Sequence, residues 1–264
     1  MLSIVVLACY LASALWLLSG ARRAPAGAHV AGVGMGVLAL AFHGAKLWQD
    51  LSGTDARLSL GGTASLIWWV IALVAVIAAM RRPRFSVISG VLLAIAGIIA
   101  ALADDTVREL TVARSGWELT AHVVLSTLAY ALLTVGAALA VAQAALDRRL
   151  RRHKPLGLLA ALPSIESLES GMFQAIAAGF ALLSLALFSG FVFVDNFLAQ
   201  HLVHKAVLSC LAWIVFAVLL AGRWYLGWRG RTALRWTLGG FVLLGLAYFG
   251  TKLVLEGILG RHWG

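Results

Sequence analysis

Residues 119–146 read L-T-A-H-V-V-L-S-T-L-A-Y-A-L-L-T-V-G-A-A-L-A-V-A-Q-A-A-L, without a single Lys, Arg, Asp or Glu. Coiled as an α-helix, at ~1.5 Å per residue, the run is longer than the ~30 Å hydrocarbon core of a bilayer. Seven more charge-free runs accompany it, at 1–21, 24–45, 58–80, 85–103, 170–194, 206–222 and 236–251. Most reach the ~17–25 residues that a spanning helix needs. No single soluble core hides eight such runs. The expectation is an all-α, polytopic integral membrane protein with eight transmembrane helices, forming one domain over residues 1–264.

Composition supports this. Hydrophobic residues make up 62% of the chain and charged residues 12%, against the ~25% charged residues of soluble domains. The net charge of +10 does not call for nucleic acid, because cytoplasmic loops of membrane proteins carry excess Lys and Arg. Those charges also assign sides. The first, third, fifth and seventh gaps hold 14 of the 21 basic residues, whereas 8 of the 11 acids lie in the other gaps and the C-terminal segment. Odd gaps therefore belong to the cytoplasm and both termini to the outside. The first run lacks a basic n-region and an A-x-A cleavage site, so it reads as a retained helix.

Several function classes are excluded. Cys9 and Cys210 each sit inside an apolar run, and no C-x-x-C pair or C-x-x-C-H haem-attachment motif is present. There is no Gly-rich phosphate loop. The long connection at 147–170 opens on D-R-R-L-R-R-H-K, a basic cluster suited to an anionic membrane surface. P-L-G-L-L-A-A-L-P follows, too short to span. In S-I-E-S-L-E-S-G, Ser164 suits an N-cap, and Glu166 and Glu169 suit the positive end of a helix dipole. Gly32 and Gly36 make a small-xxx-small pair that favours close helix approach. In G-W-R-G-R, residues 227–231, two glycines suit a tight turn, Trp228 the headgroup level, and Arg229 and Arg231 lipid phosphates.

Histidine carries the most information. His29 and His153 fall toward the cytoplasmic side. His43, His122, His201, His204 and His262 fall toward the outer face. His43 lies about one turn before the outer end of the second span, and His122 about one turn after the outer start of the fifth, at similar depth. Were these spans neighbours, the two imidazoles could share a metal. Ionisable groups within a span are costly and tend to mark function. Neutral imidazole is also an axial ligand of haem iron.

The segment L-T-A-H-V-V-L-S-T-L-A-Y-A around His122 resembles the outward-facing histidine helix of the cytochrome c assembly family, the haem-handling CcsA-like and CcmC-like membrane proteins. L-P-S-I-E-S-L-E-S-G-M-F at 162–173 and G-F-A-L-L-S-L-A-L-F-S-G at 179–190 fit as well. So do H-K-A-V-L-S-C-L-A-W-I-V-F-A-V-L-L-A-G-R from His204, then G-W-R-G-R-T-A, then G-G-F-V-L-L-G-L-A-Y-F-G-T-K. The resemblance covers roughly residues 115–255; the first four spans fit by number and by His43. It points to a bacterial inner-membrane branch. The haem-handling members use two outward histidines and a tryptophan-rich loop, W-G-x-x-W-x-W-D. This chain departs there, with only D-N-F-L-A-Q-H-L-V at 195–203.

The resemblance implies a non-enzymatic haem-binding assembly factor that holds haem at the outer face. His122 stands at the first ligand position, with His204, His43 or His262 as the second. Trp48, Trp68, Trp69 and Trp117 lie on or near the outer half, where they suit an interfacial belt. Its surroundings would be membrane lipids and other membrane proteins of cytochrome c assembly. Two other classes compete. A haem-free transport or accessory subunit would use Asp50, Asp55, Asp104, Asp105, Glu109 and Asp195 as oxygen ligands for divalent cations. A helical scaffold for a membrane partner would need none of these residues.

Overall fold

A computed structural model describes residues 2–20, 27–51, 60–103, 117–193 and 200–247. Among them every regular element is helical: α1 (Leu2–Gly20), α2 (Ala28–Leu51), α3 (Leu60–Arg81), α4 (Ser86–Leu102), α5 (Trp117–Arg151), α6 (Ile165–Phe193), α7 (Gln200–Leu226) and α8 (Gly230–Gly245). A helix satisfies every peptide group within its own segment, which hydrocarbon demands. Pro83, Pro155 and Pro163, which have no N–H to give a helix, stand between α-helices. Seven helices, α1 to α7, are long and apolar enough to cross a membrane. The described part of α8 is shorter, and the rest of the eighth expected span lies outside the described residues.

Helices overrun the charge-free runs. α2 continues through Lys46, α5 through Asp147–Arg151, and α6 starts early enough to include Glu166 and Glu169. Charge marks where the apolar stretch stops, not where the backbone hydrogen bonds stop. α5 ends only where the chain turns left-handed, with His153 at φ 49°. There the Lys154 N–H reaches the Arg149 carbonyl and the His153 N–H the Leu150 carbonyl, both at 3.1 Å. That pair of bonds is a Schellman closure, with histidine where glycine is usual.

The chain divides into two compact units. The first comprises residues 1–114 and 145–165, the second 115–144 and 166–264. In the first unit α1 packs on α2 and α4, and α3 on α2 and α4, giving a four-helix bundle. Gly32 lies against Leu17 and Gly36 against Ser13 and Val76, so the small pair on α2 does admit close neighbours. The Ser13 hydroxyl donates to the Gly32 carbonyl at 2.7 Å. Lys46, which ends the second charge-free run, is buried, and its Nζ donates to the Ala100 carbonyl in the last turn of α4 at 3.2 Å. A cation at a helix C-terminus satisfies an acceptor that the helix itself leaves open. His29, placed by the sequence toward the cytoplasmic side, meets the Ser86 hydroxyl at 3.2 Å.

In the second unit consecutive helices run antiparallel. Gly136 of α5 faces Ile176 of α6, and Gly179 faces Leu133. Phe180 of α6 stacks on Trp213 of α7 with centroids 5.4 Å apart. Gly240 of α8 lies on Phe216 of α7. The Tyr130 hydroxyl donates to the Leu244 carbonyl, tying α5 to α8. Gly227 and Gly230 take the left-handed φ values of 66° and 57° that the α7–α8 turn requires. Trp228, expected among headgroups, folds back over Gly222 and stacks on Trp236 at 5.5 Å.

Candidate functional site

His122 sits in the first turns of α5 and is half-buried. Its Nδ1 lies 3.0 Å from the Ser189 hydroxyl of α6. Ser189 in turn donates its one hydroxyl hydrogen to the Ala186 carbonyl at 2.9 Å. The serine oxygen must therefore accept from the imidazole, which assigns the proton to Nδ1 from the network. Nε2 is left with its lone pair. Its nearest partner, the Ser126 hydroxyl, stands 3.5 Å away, at the outer limit of a hydrogen bond. A histidine whose far nitrogen donates to a fixed acceptor, and whose other nitrogen has only a long bond to give up, is prepared for a metal.

His204 lies in the first turns of α7, and its side chain is outside the described residues. The helix register still sets its level. Phe180 of α6 is opposite Trp213 of α7. Ser189 is nine residues onward from Phe180, and His204 nine residues back from Trp213. Antiparallel helices advance equally, so the backbone at His204 is level with Ser189 and hence with His122. His201 shares that first turn, with its side chain likewise undescribed, and His262 lies outside the described residues.

His43 is placed differently. It is fully buried in the first unit, between α1 and α3. Its Nδ1 meets the Tyr10 hydroxyl at 3.1 Å and its Nε2 the Ser65 hydroxyl at 2.8 Å. Tyr10 also stands edge-on to the ring at 5.7 Å. Both nitrogens are engaged, so ligation by His43 requires one of these bonds to be given up. His43→Ala is expected to lower the stability of the first unit by about 2–4 kcal/mol, from a cavity and two stranded hydroxyls. Thermal unfolding in detergent measures this, and an unchanged melting curve would remove the packing role.

One centre escaped the sequence reading. Glu169, assigned there to the α6 dipole, is buried and accepts four hydrogen bonds. Arg223 Nη1 and Arg229 Nε reach Oε1 at 3.1 and 3.0 Å, while the Gly230 N–H and Gln143 Nε2 reach Oε2 at 3.2 and 3.4 Å. Arg223 also lies over the Phe173 ring, 4.7 Å from its centroid. Arg229 is thus directed to a carboxylate, not to lipid phosphate. Glu169 gathers α5, α6, α7 and the start of α8 at the end of the unit opposite His122. Spacing alone gave no signal for it, because its cationic partners lie 54 and 60 residues away.

Among the described residues no three His, Cys, Asp or Glu side chains gather as a metal site. Of the proposed cation ligands, Asp50 is exposed at the end of α2; Asp55, Asp104, Asp105, Glu109 and Asp195 lie outside the described residues. Trp48 is exposed, while Trp68 and Trp69 are half-buried, with Trp69 Nε1 donating to the Leu40 carbonyl at 3.0 Å. The Trp117 side chain is not described.

Fold and site together define a multi-span helical membrane protein with an oriented histidine at one end of a helix bundle. Residues 58–259 match the family described as cytochrome C assembly protein, and the chain belongs to that family. Inner membrane protein YpjD of Escherichia coli strain K12 is 34% identical over 225 residues, covering 83% of this chain and 84% of its own. An uncharacterised 28.8 kDa protein of Azospirillum brasilense is 32% identical over 141 residues, covering 53% of this chain and 52% of its own. Cytochrome c biogenesis protein CcsA of Synechococcus sp. strain CC9311 is 29% identical over 178 residues, covering 57% of this chain and 58% of its own. No solved structure matches the chain.

Proposed function

We propose that this protein is a non-enzymatic haem-handling factor of a bacterial inner membrane, with His122 as an axial ligand at the outer end of the α5–α8 unit. The observation that carries this reading is the Ser189–His122 bond, which leaves Nε2 as the donor nitrogen. His204, level with His122 on the parallel helix α7, is the second ligand of choice. Haem bound there would bring iron that accepts two imidazole lone pairs. Membership in the cytochrome c assembly family supports the reading, as does the name of the CcsA relative. The test is titration of the purified, detergent-solubilised chain with haem. A saturable Soret band of low-spin, bis-imidazole type is expected. Free-haem absorbance alone, at every ratio, would refute the proposal and favour a scaffold or an accessory subunit.

The reading includes eight spans with both termini outside. It rests on the two-to-one bias of basic residues toward the odd gaps. Reporter fusions at residues 82, 152 and 229 are expected to report cytoplasm at all three. An outward result at 152, in the most basic gap, would invert the topology and move His122 to the wrong side.

A further inference from the structure

The four arginines around the α7–α8 turn divide into two kinds. Arg223 and Arg229 are matched by Glu169. Arg231 and Arg235 are exposed and make no hydrogen bond or ion pair with any described residue. They stand four residues apart, so they share one face of α8. Gly239 and Val242 continue that face, and both are exposed. Gly239 is open: a Cβ there meets nothing within 4 Å. Beside it runs a shallow, open groove of about 620 Å³, lined by Val215 of α7 and by Arg235, Trp236, Gly239, Val242 and Leu243 of α8. The groove is apolar along its length, with a guanidinium at one end.

We propose that this groove seats an anionic phospholipid, its phosphate on Arg231 and Arg235 and an acyl chain along Gly239. The charges decide the occupant. Two unmatched arginines one turn apart favour a phosphate, which takes paired N–H donors. The wall beyond them is almost wholly apolar and suits hydrocarbon. Arg235 lies a turn and a half inside α8, where a guanidinium extends its stem along apolar surface toward the headgroups. A zwitterionic lipid also brings a phosphate, but its quaternary ammonium offsets that charge, so two guanidinium groups on one face favour a headgroup with net negative charge. The site does not depend on haem binding or on the His122 end of the unit.

The test uses the full-length chain, purified in neutral detergent. Binding of chain-labelled phosphatidylglycerol is compared with phosphatidylcholine carrying the same chains. Two variants separate the halves of the site: R231Q with R235Q removes the charges, and G239L fills the groove at a position with room for a side chain. The wild type is expected to prefer phosphatidylglycerol by roughly tenfold, the order set by two arginines beside an anionic headgroup. The arginine variant should lose that preference. G239L should weaken both lipids, with the melting curve intact. Equal binding of the two lipids by the wild type, or undiminished binding by G239L, would overturn the proposal. Displacement of the lipid by millimolar inorganic phosphate would also overturn it, by reassigning the arginines to a free anion.

Discussion

Glu169→Ala is expected to destabilise the α5–α8 unit by about 3 kcal/mol, the lower end of the cost of breaking a buried ion pair from one side. The change leaves Arg223, three-quarters covered, without its carboxylate. It also strands the Gly230 N–H and the Gln143 amide, both of which Glu169 accepts from. Arg229 contributes less, since its side chain is 68% exposed and water can replace the lost partner. Glu169→Gln should cost less than alanine, because an amide oxygen still accepts. Glu169→Leu combined with Arg223→Met should recover much of the loss, as apolar replacements of buried pairs often do. Thermal unfolding in detergent, read by tryptophan fluorescence, reports the result. A loss below about 1 kcal/mol for alanine would show the carboxylate to be screened like a surface pair.

The second large effect concerns haem. His122→Ala is expected to abolish the Soret band of haem-titrated protein while the melting curve stays near that of the wild type, since the half-buried ring has one firm hydrogen bond. Ser189→Ala keeps the imidazole but removes the acceptor that holds its proton on Nδ1. Outer-shell partners of this kind are worth roughly 10–100-fold in metal affinity. Ser189→Ala should therefore bind haem about that much more weakly, with the same spectral type. A retained Soret band in His122→Ala would remove the ligand assignment. Unchanged affinity in Ser189→Ala would remove the tautomer argument alone.

Charge-free runs made the helices legible, because insertion into hydrocarbon is decided segment by segment and each segment carries its own signal. They misjudged helix ends for the same reason: Lys46 and Glu169 are charged yet belong to helices and are buried. Partners were invisible. Lys46 reads only as the end of a charge-free run until the open carbonyl of Ala100 is found 54 positions away. His43 and His122 looked alike in sequence, as imidazoles about one turn from an outer end. The hydroxyls around them separate the two: Tyr10 and Ser65 close both nitrogens of His43, whereas Ser189 occupies one nitrogen of His122. The family resemblance picked out His122 but carried no information on its tautomer. G-W-R-G-R was legible as a turn, yet the separate fates of Arg229 and Arg231 depended on a carboxylate two helices earlier.

Vectorial synthesis gives the Glu169 centre a timetable. Translation delivers the chain from its N-terminus, so Glu169 leaves the ribosome before either cation that will hold it. Arg223 follows 54 residues later and Arg229 60. During that interval the carboxylate waits at the membrane surface, with Gln143 the only one of its four donors already made. The two arginines that close the bundle thus arrive only with the end of α7 and the turn that leads into α8. Tertiary locking of this unit is a late event, completed only when α8 begins to emerge.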